Sequence, residues 1–248
     1  MKINFGNWIF CPKLITSIFA VIFFILFLNL GFWQLDRAEQ KRELQSFFNE
    51  RQAKEIIDLN NSFIKDSDNI LWRKVTATGN FLERQQILLD NQVNAGQAGY
   101  YVYTPFKVKN SEDIFLVNRG WVPIGGDRNK SPNLILTKGE VTIHGVLKTE
   151  PRTGVLLMEN QVEKLDTYVT RFQKIDINEI SAATEIKLFP YIIRLSPESE
   201  YGYIRNWKSR NSAENMHIGY AYQWFAFAST LFIIYFVMNL KKTVKENG

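Results

Sequence analysis

The chain has little of the material from which metal sites and common catalytic sites are built. It contains one cysteine, Cys11, and two histidines, His144 and His217. Zinc and copper sites usually take three or four nitrogen or sulfur ligands, and a disulfide takes two cysteines. The sequence also contains no G-x-S-x-G, P-loop, H-E-x-x-H or C-x-x-C motif. We therefore expect no disulfide, no ordinary zinc or copper site and no enzymatic activity.

The chain also lacks the concentrated positive charge of a nucleic-acid-binding protein. Its formal net charge is +5, but much of the excess lies near the two ends, in Lys2, Lys13, Lys241, Lys242 and Lys245. The middle of the chain is close to neutral, which is too little charge for a surface that follows phosphates. We expect no nucleic-acid partner.

What the chain does have is two long apolar runs without charged residues, at Leu14 to Leu35 and at Asn215 to Leu240. Each is long enough to cross a membrane as a helix. We predict transmembrane helices at 14–35 and 218–240. The first is interpreted as an uncleaved anchor, because its apolar core exceeds that of a signal peptide and no A-x-A-like cleavage site follows it.

The basic residues lie on the outer sides of both runs, which is typical of segments that stay in the cytoplasm. We therefore predict that residues 1–13 and 241–248 are cytoplasmic and that residues 36–217 lie in the periplasm. No Arg-rich and Ser-rich transit peptide precedes the first run, which favours the inner (plasma) membrane of a bacterium, and its lipid as a partner, over an organelle.

The pattern of the middle changes twice. Residues 36–57 are rich in Glu, Gln, Lys and Arg and predict a polar helix, and 60–69 predicts a loop. From 71 to 195, β-forming runs separated by turn residues predict strands, with a short helix at 178–184. In the first run, buried-type and polar residues alternate around Val75, as in a half-buried strand. The predicted strands are 72–81, 86–91, 99–108, 113–122, 140–148, 167–175 and 191–195.

The expected fold is a membrane protein of the α+β class. Two transmembrane helices would flank an antiparallel, β-rich domain outside the cytoplasm, because many short strands with little helix between them favour an antiparallel barrel or sandwich. The pattern leaves the choice between barrel and sandwich open.

His217 stands where the second apolar run would meet water. Helical spacing places Tyr220, Ala221 and Trp224 on the same face, and Phe225 on another. Two interpretations are open. The histidine either caps the helix and contacts lipid headgroups, or its neutral imidazole is an axial ligand of a haem iron, which needs flat apolar walls. In the second case we expect Trp224 to contribute more than Phe225.

Polar and aromatic residues occur at a similar depth in both apolar runs. Trp33 and Gln34 leave the first run about where Gln223 and Trp224 enter the second. The tryptophans fit an aromatic belt and the glutamines a helix-to-helix hydrogen bond, and contact with a bound cargo is the alternative for both. Arg37 fits either a snorkelling anchor or a partner for an anionic group such as a propionate.

Several motifs follow one another along the chain. They are Gly31-Phe32-Trp33-Gln34-Leu35-Asp36-Arg37 with Lys41, then Trp72-Arg73 with Val75, Gly79 and Phe81, then Thr104-Pro105-Phe106, then Val117-Asn118-Arg119-Gly120-Trp121-Val122-Pro123, and finally His217-Ile218-Gly219-Tyr220-Ala221 with Gln223-Trp224-Phe225. In this order they resemble the motifs of the surfeit locus protein family of cytochrome c oxidase assembly factors. Two positions depart from the family pattern, Gln92 where Arg is usual and Ala98 where Pro is usual.

The resemblance implies a chaperone that binds haem a as transient cargo and assists its insertion into subunit I of cytochrome c oxidase, with haem a synthase as a further partner. It implies His217 as the ligand, with haem iron as its only metal. The residues expected around the haem are Tyr220, Gln223, Trp224, Trp33, Gln34 and Arg37. The alternative is a membrane-anchored scaffold that stabilises a partly assembled oxidase subunit without carrying haem.

The block from Val117 to Pro123 has two interpretations. Arg119 and Trp121 either pack and pair within the sheet or, if exposed, bind a partner, because Arg and Trp are enriched among interface hot spots. His144, on a predicted strand, is interpreted as a surface residue.

Overall fold

A computed structural model describes residues 3–5, 8–61, 70–151, 162–207 and 211–242. The chain divides into two compact units, one made of residues 1–47 and 209–248 and the other of residues 48–208. Most of the loop predicted at 60–69 lies outside the described residues. The helices are α1 (Leu14–Ala53), α2 (Ile177–Thr184) and α3 (Asn211–Asn239), and the strands are β1 (Ile3–Phe5), β2 (Trp8–Phe10), β3 (Ile57–Asp58), β4 (Lys74–Phe81), β5 (Gln86–Asn94), β6 (Gln97–Val108), β7 (Ile114–Pro123), β8 (Val141–Lys148), β9 (Val162–Lys164), β10 (Val169–Phe172), β11 (Ile192–Leu195) and β12 (Leu240–Lys242).

The first unit is built on α1 and α3, which are both long and apolar enough to cross a membrane. Gly31 on α1 and Ala221 and Ala228 on α3 are buried, as small residues are where helix backbones approach each other closely. Further along, the hydroxyls of Ser17 and Tyr235 lie 2.5 Å apart. The two helices therefore contact each other along much of their apolar length.

Short strands join the ends of this helix pair. β2 pairs with β1 on one side and with β12 on the other, antiparallel in both cases, and the amide of Cys11 donates to the carbonyl of Asn239 at 2.8 Å. Each strand has three residues, too few to show a periodicity, so sequence analysis missed them. The pairing places residues 3–10 and 240–242 at the same end of the helix pair.

The second unit contains every strand predicted between residues 71 and 195, with boundaries shifted by a few residues. The strands form one sheet in the order β3-β4-β8-β11-β7-β6-β5-β10-β9, and β4 also pairs with β6. That additional pairing joins β4, β8, β11, β7 and β6 in a ring. The predicted β-rich domain is confirmed, and its sheet is barrel-like.

Closure of the ring depends on a close approach between β4 and β6. Gly79 pairs with Val108, and a Cβ atom at residue 79 would lie 2.1 Å from the carbonyl oxygen of Lys107. A side chain here would push the two strands apart, which is why glycine is needed. Along β4, Val75 and Phe81 are buried in the core of the ring, in the alternation that the sequence predicts.

The sheet is not wholly antiparallel, and that part of the prediction is wrong. β10 runs parallel to β5, and β11 runs parallel to β7. Parallel strands require a crossover connection, and α2 lies in the long connection from β7 to its parallel neighbour β11. Residue periodicity indicates which face of a strand is buried but not the direction in which the strand runs, so the sequence pattern could not reveal this arrangement.

Helix α2, predicted at 178–184, is confirmed and begins at Ile177. The side chain of Asp176 caps it by accepting hydrogen bonds from the amides of Asn178 and Glu179. The hydrogen bond from Lys174 lowers the pKa of the Asp176 carboxyl, so the carboxylate persists in moderately acid solution. Ile177 and Ile180 are buried in the core that lies over β5, β6 and β7.

Helix α1 continues beyond the first apolar run, as predicted, but ends at Ala53 rather than at residue 57. The next residues, Ile57 and Asp58, form β3 and pair parallel with β4. Leu59 is buried in the core of the ring. Packing of these apolar side chains against the sheet overrides the local preference for helix.

Candidate functional site

His217 and Gln34 meet at the contact between α3 and α1. The Nδ1 atom of His217 lies 2.7 Å from the Oε1 atom of Gln34, and both side chains are half-buried. An amide oxygen can only accept a hydrogen bond, so Nδ1 is the donor. In the neutral ring this leaves Nε2 with an unprotonated lone pair, which is the form of imidazole that binds a metal ion.

Aromatic rings lie further along the same helix contact. Trp224 stacks on Phe27, with ring centroids 5.8 Å apart and an interplanar angle of 29°. Phe227 lies beside both, with its centroid 5.9 Å from that of Phe27 and 5.8 Å from that of Trp224. Phe27 and Trp224 thus form a stacked apolar pair two helical turns from His217. The Phe227 ring meets that of Trp224 edge-on, at an interplanar angle of 79°.

Phe225 also faces α1, contrary to the expectation that it lies on another face. A Cβ atom at Gly31 would lie 2.5 Å from the Phe225 ring, and the centroids of Phe32 and Phe225 are 5.4 Å apart. Helices that pack closely present more than one row of side chains to each other. Phe225→Ala is therefore not a neutral control for Trp224→Ala, because both side chains contact α1.

Four of the expected haem neighbours lie on outward faces of the helices. Tyr220 is 45% exposed and Trp33 is 48% exposed, and Gln223 and Arg37 are exposed as well. The guanidinium of Arg37 lies 5.5 Å from the centroid of the Trp33 ring. Of the expected set, the structure brings Gln34, His217 and Trp224 to the helix contact.

An ion pair lies on the other side of His217. The Nε atom of Arg42 on α1 is 3.0 Å from a carboxylate oxygen of Glu214 on α3, and Arg42 also pairs with Glu39 at 2.7 Å. Sequence reasoning missed the contact between Arg42 and Glu214, because the two residues are 172 positions apart and charged residues are common in this part of α1.

Arg119 and Trp121, the proposed partner surface, are buried in the second unit at 0% and 3% exposure. The guanidinium of Arg119 lies 3.0 Å from Glu83 and donates to the carbonyl of Tyr201 at 2.8 Å. The indole of Trp121 donates to the carbonyl of Gln92 at 3.1 Å. Both side chains therefore pack and pair within the sheet, as the first of the two interpretations expects. Neither is exposed for a partner to contact.

Gln92, which stands where the family pattern has Arg, lies beside a buried carboxylate. Asp90 is 3% exposed, and one of its oxygens lies 2.5 Å from Arg128 and 3.8 Å from Arg171. The side chain of Gln92 donates to the backbone carbonyl of Asp90 at 2.7 Å. Two arginines from elsewhere in the chain thus neutralise this carboxylate.

Among the described residues, no group of three or more His, Cys, Asp and Glu side chains is placed to hold a metal ion. His144 is exposed on β8, in the second unit. Within the described residues, His217 is therefore placed as a single ligand and not as one corner of a protein cage. A single imidazole with a stacked aromatic pair two helical turns away is compatible with a haem, because the porphyrin itself supplies the equatorial nitrogens.

Comparison with known proteins identifies relatives along most of the chain. The family model described as the SURF1 family matches residues 21–229. A SURF1-like protein of Rickettsia bellii is 31% identical over 242 residues, which cover 94% of this chain and 93% of the relative. The cytochrome oxidase assembly protein SHY1 of Saccharomyces cerevisiae is 31% identical over 99 residues, which cover 40% of this chain and 25% of the relative. These matches confirm the predicted family, and the chain belongs to the SURF1 family.

Proposed function

We propose that this protein is an assembly factor for cytochrome oxidase, and that it carries haem a on His217 and assists its insertion into subunit I. Membership of the SURF1 family and the name of the yeast relative, a cytochrome oxidase assembly protein, support the role in oxidase assembly. The observation that supports the haem carrier is the contact between His217 and Gln34, which leaves one ring nitrogen available as a ligand, two helical turns from a stacked aromatic pair.

The same proposal places the protein in the inner membrane of a bacterium. The two apolar helices are compatible with membrane anchoring, and their paired ends lie together. We propose cytoplasmic termini and a periplasmic β domain, because the basic residues at the outer ends of both helices favour the cytoplasm.

The chemistry of the cargo suits such a site. Haem a carries a long apolar tail, and each buried methylene favours an apolar setting by about 0.8 kcal/mol. The cargo therefore does not cross water unaided. A ligand between two apolar helices lets the tail remain among lipid and helix side chains while the porphyrin stays near the membrane surface.

A carrier must also release what it holds. One axial imidazole binds a haem less firmly than a closed pocket with two protein ligands would. Arg37 lies one turn beyond Gln34 on an exposed face of α1, and in this proposal it would supply a cation for a propionate. The proposed role is thus that of a carrier rather than an enzyme, with haem a synthase as the source of haem a and subunit I as the acceptor.

The test is the visible spectrum of the full-length protein, purified in detergent from cells that make haem a. The wild type is expected to show a haem a band, and His217→Ala is expected to lose it. The matched control is His144→Ala, which removes the other histidine and should leave the band intact. Equal haem a content in wild type and His217→Ala would overturn the assignment of the ligand.

A different result would favour the scaffold. If the wild type is colourless and still copurifies with oxidase subunit I, the protein assists assembly without carrying haem. The carrier proposal then fails, while the role in oxidase assembly stands.

A further inference from the structure

We infer that Gln34 is a positioning residue for the proposed haem ligand: it holds the His217 ring in the tautomer and orientation that present Nε2 to the iron. The identity of the metal in this inference rests on the proposed function. The tautomer does not, because it follows from the contact between two side chains of this chain.

The first step is the direction of the hydrogen bond. At 2.7 Å, the separation of Nδ1 and Oε1 lies at the short end of the range for N–H···O hydrogen bonds. Because the amide oxygen cannot donate, the proton of the neutral imidazole resides on Nδ1. In water the neutral histidine side chain prefers its proton on Nε2, so Gln34 selects the opposite tautomer.

The second step is how firmly Gln34 is held. On its apolar side, Gly31 lies one turn before it and packs against Phe225. On its polar side, Arg42 pairs with Glu214, one turn before His217, at 3.0 Å. Contacts between α1 and α3 therefore lie on both sides of the hydrogen bond. The packing of the two helices, and not the flexible glutamine side chain alone, sets the position of the acceptor.

The third step is the effect on a bound iron. A hydrogen bond from the distant ring nitrogen fixes the ring and makes the ligating nitrogen more basic. A neutral amide has a smaller effect than a carboxylate, because it draws the proton less strongly. Glutamine thus orients the ligand without making the iron bond as strong as glutamate would, which suits a protein that must release its cargo.

The first experiment uses the haem-free, full-length protein in detergent, labelled with ¹⁵N at histidine. Ring nitrogen shifts report which nitrogen carries the proton, and comparison with His144→Ala assigns the two histidines. At a pH where the ring is neutral, we expect the His217 proton on Nδ1 in the wild type and on Nε2 in Gln34→Leu. A wild-type ring protonated on Nε2, or a tautomer unchanged by Gln34→Leu, would overturn the inference.

The second experiment measures haem a binding by titration of the same variants. Gln34→Leu should weaken binding by about 10–100-fold, as loss of an orienting partner does at other metal sites. Gln34→Glu keeps an acceptor, so it should retain binding and lower the midpoint potential of the bound haem. The control Asn49→Leu replaces an exposed amide about four turns further along α1 and should behave as wild type. Unchanged binding in Gln34→Leu would refute a positioning role.

The two experiments separate the two proposals. If the wild type binds no haem a in the titration, the proposed function fails, and the tautomer measurement still decides whether Gln34 sets the ring of His217. If haem a binds but the tautomer and affinity do not depend on Gln34, the inference fails alone.

Discussion

Arg119 shows how a residue that suggests a binding surface can serve the interior instead. The Glu83 carboxylate accepts from Arg119 at 3.0 Å and from the backbone amide of Thr137 at 2.7 Å. Gln86 donates to the same carboxylate and accepts from Thr104 at 2.6 Å. Because every member has a partner, the network stabilises this end of the domain. Removing one member leaves the remaining polar groups buried without a hydrogen-bond partner, which is costly.

Arg119→Met should therefore destabilise the β domain by about 3–5 kcal/mol, because it leaves the Glu83 carboxylate without its cation. Adding Glu83→Gln should recover part of the loss. Lys107→Met is the control, since Lys107 pairs with a fully exposed Glu112 and such solvent-screened pairs contribute little to stability. Thermal unfolding followed by tryptophan fluorescence measures all three. Normal unfolding of Arg119→Met with lost binding to the oxidase would instead support the partner surface.

At the scale of elements, the register of α1 against α3 determines whether the site exists. Gly31 permits close contact because it has no Cβ, and Gln34 lies one turn further along the same face. The Phe225 ring occupies the space that a larger residue would need. A change in helix packing at Gly31 should therefore alter the position of His217 relative to Gln34, although residue 31 does not contact the histidine.

Gly31→Ala should loosen the contact and lower haem a retention, and Gly31→Leu should do so more strongly. Gly219→Ala is the matched control, because a Cβ there meets nothing within 4 Å and alanine favours helix over glycine by about 1 kcal/mol. Gly31→Ala should also weaken the hydrogen bond that holds the proton on Nδ1 of His217. The double variant Gly31→Ala with Phe225→Ala frees the occupied space and should restore that proton to Nδ1. Retention in Gly31→Leu equal to wild type would show that this contact does not support the site.

Much of the element pattern was predictable from the sequence. Charge-free runs predicted α1 and α3, and alternation around Val75 predicted a half-buried strand. The closing contact between β4 and β6 was not predictable, because it depends on Gly79 meeting the carbonyl of Lys107, which lies on another strand far away in the sequence. The parallel orientation of β10 and β11 relative to their neighbours β5 and β7 was not predictable from the sequence either.

The candidate site was predicted as a set of residues implied by the family resemblance, and the structure brings three of them, His217, Gln34 and Trp224, to the helix contact. Trp33 and Tyr220, which belong to the same set, lie on outward faces. Helical periodicity gives the faces of one helix. It does not give the rotation of that helix relative to its partner, so it could not distinguish residues in the contact from those beside it.

At the scale of the whole molecule, the paired ends of the chain support a simple topology. β2 and β12 share one sheet, so the segments before α1 and after α3 lie on one side of any membrane that the helices cross. The single native cysteine, Cys11, lies in the segment between β2 and α1. It therefore provides a natural reporter of that side.

A membrane-impermeant maleimide should label Cys11 only after the inner membrane is opened. In a Cys11→Ser background, Gly126→Cys places a thiol on an exposed turn of the β domain where a Cβ meets nothing within 4 Å, and it should react in intact spheroplasts. Lys242→Cys in the same background should behave as Cys11 does. Labelling of Cys11 from outside would reverse the proposed orientation.

The hydrogen bond between Gln34 and His217 spans 183 positions of the chain, and this separation has a consequence for synthesis. The ribosome completes Gln34 early and His217 only after the whole β domain. A partly translated chain has the acceptor but not the histidine, so under the proposed function it would hold no haem. Loading of the proposed carrier would therefore wait until its second helix is made.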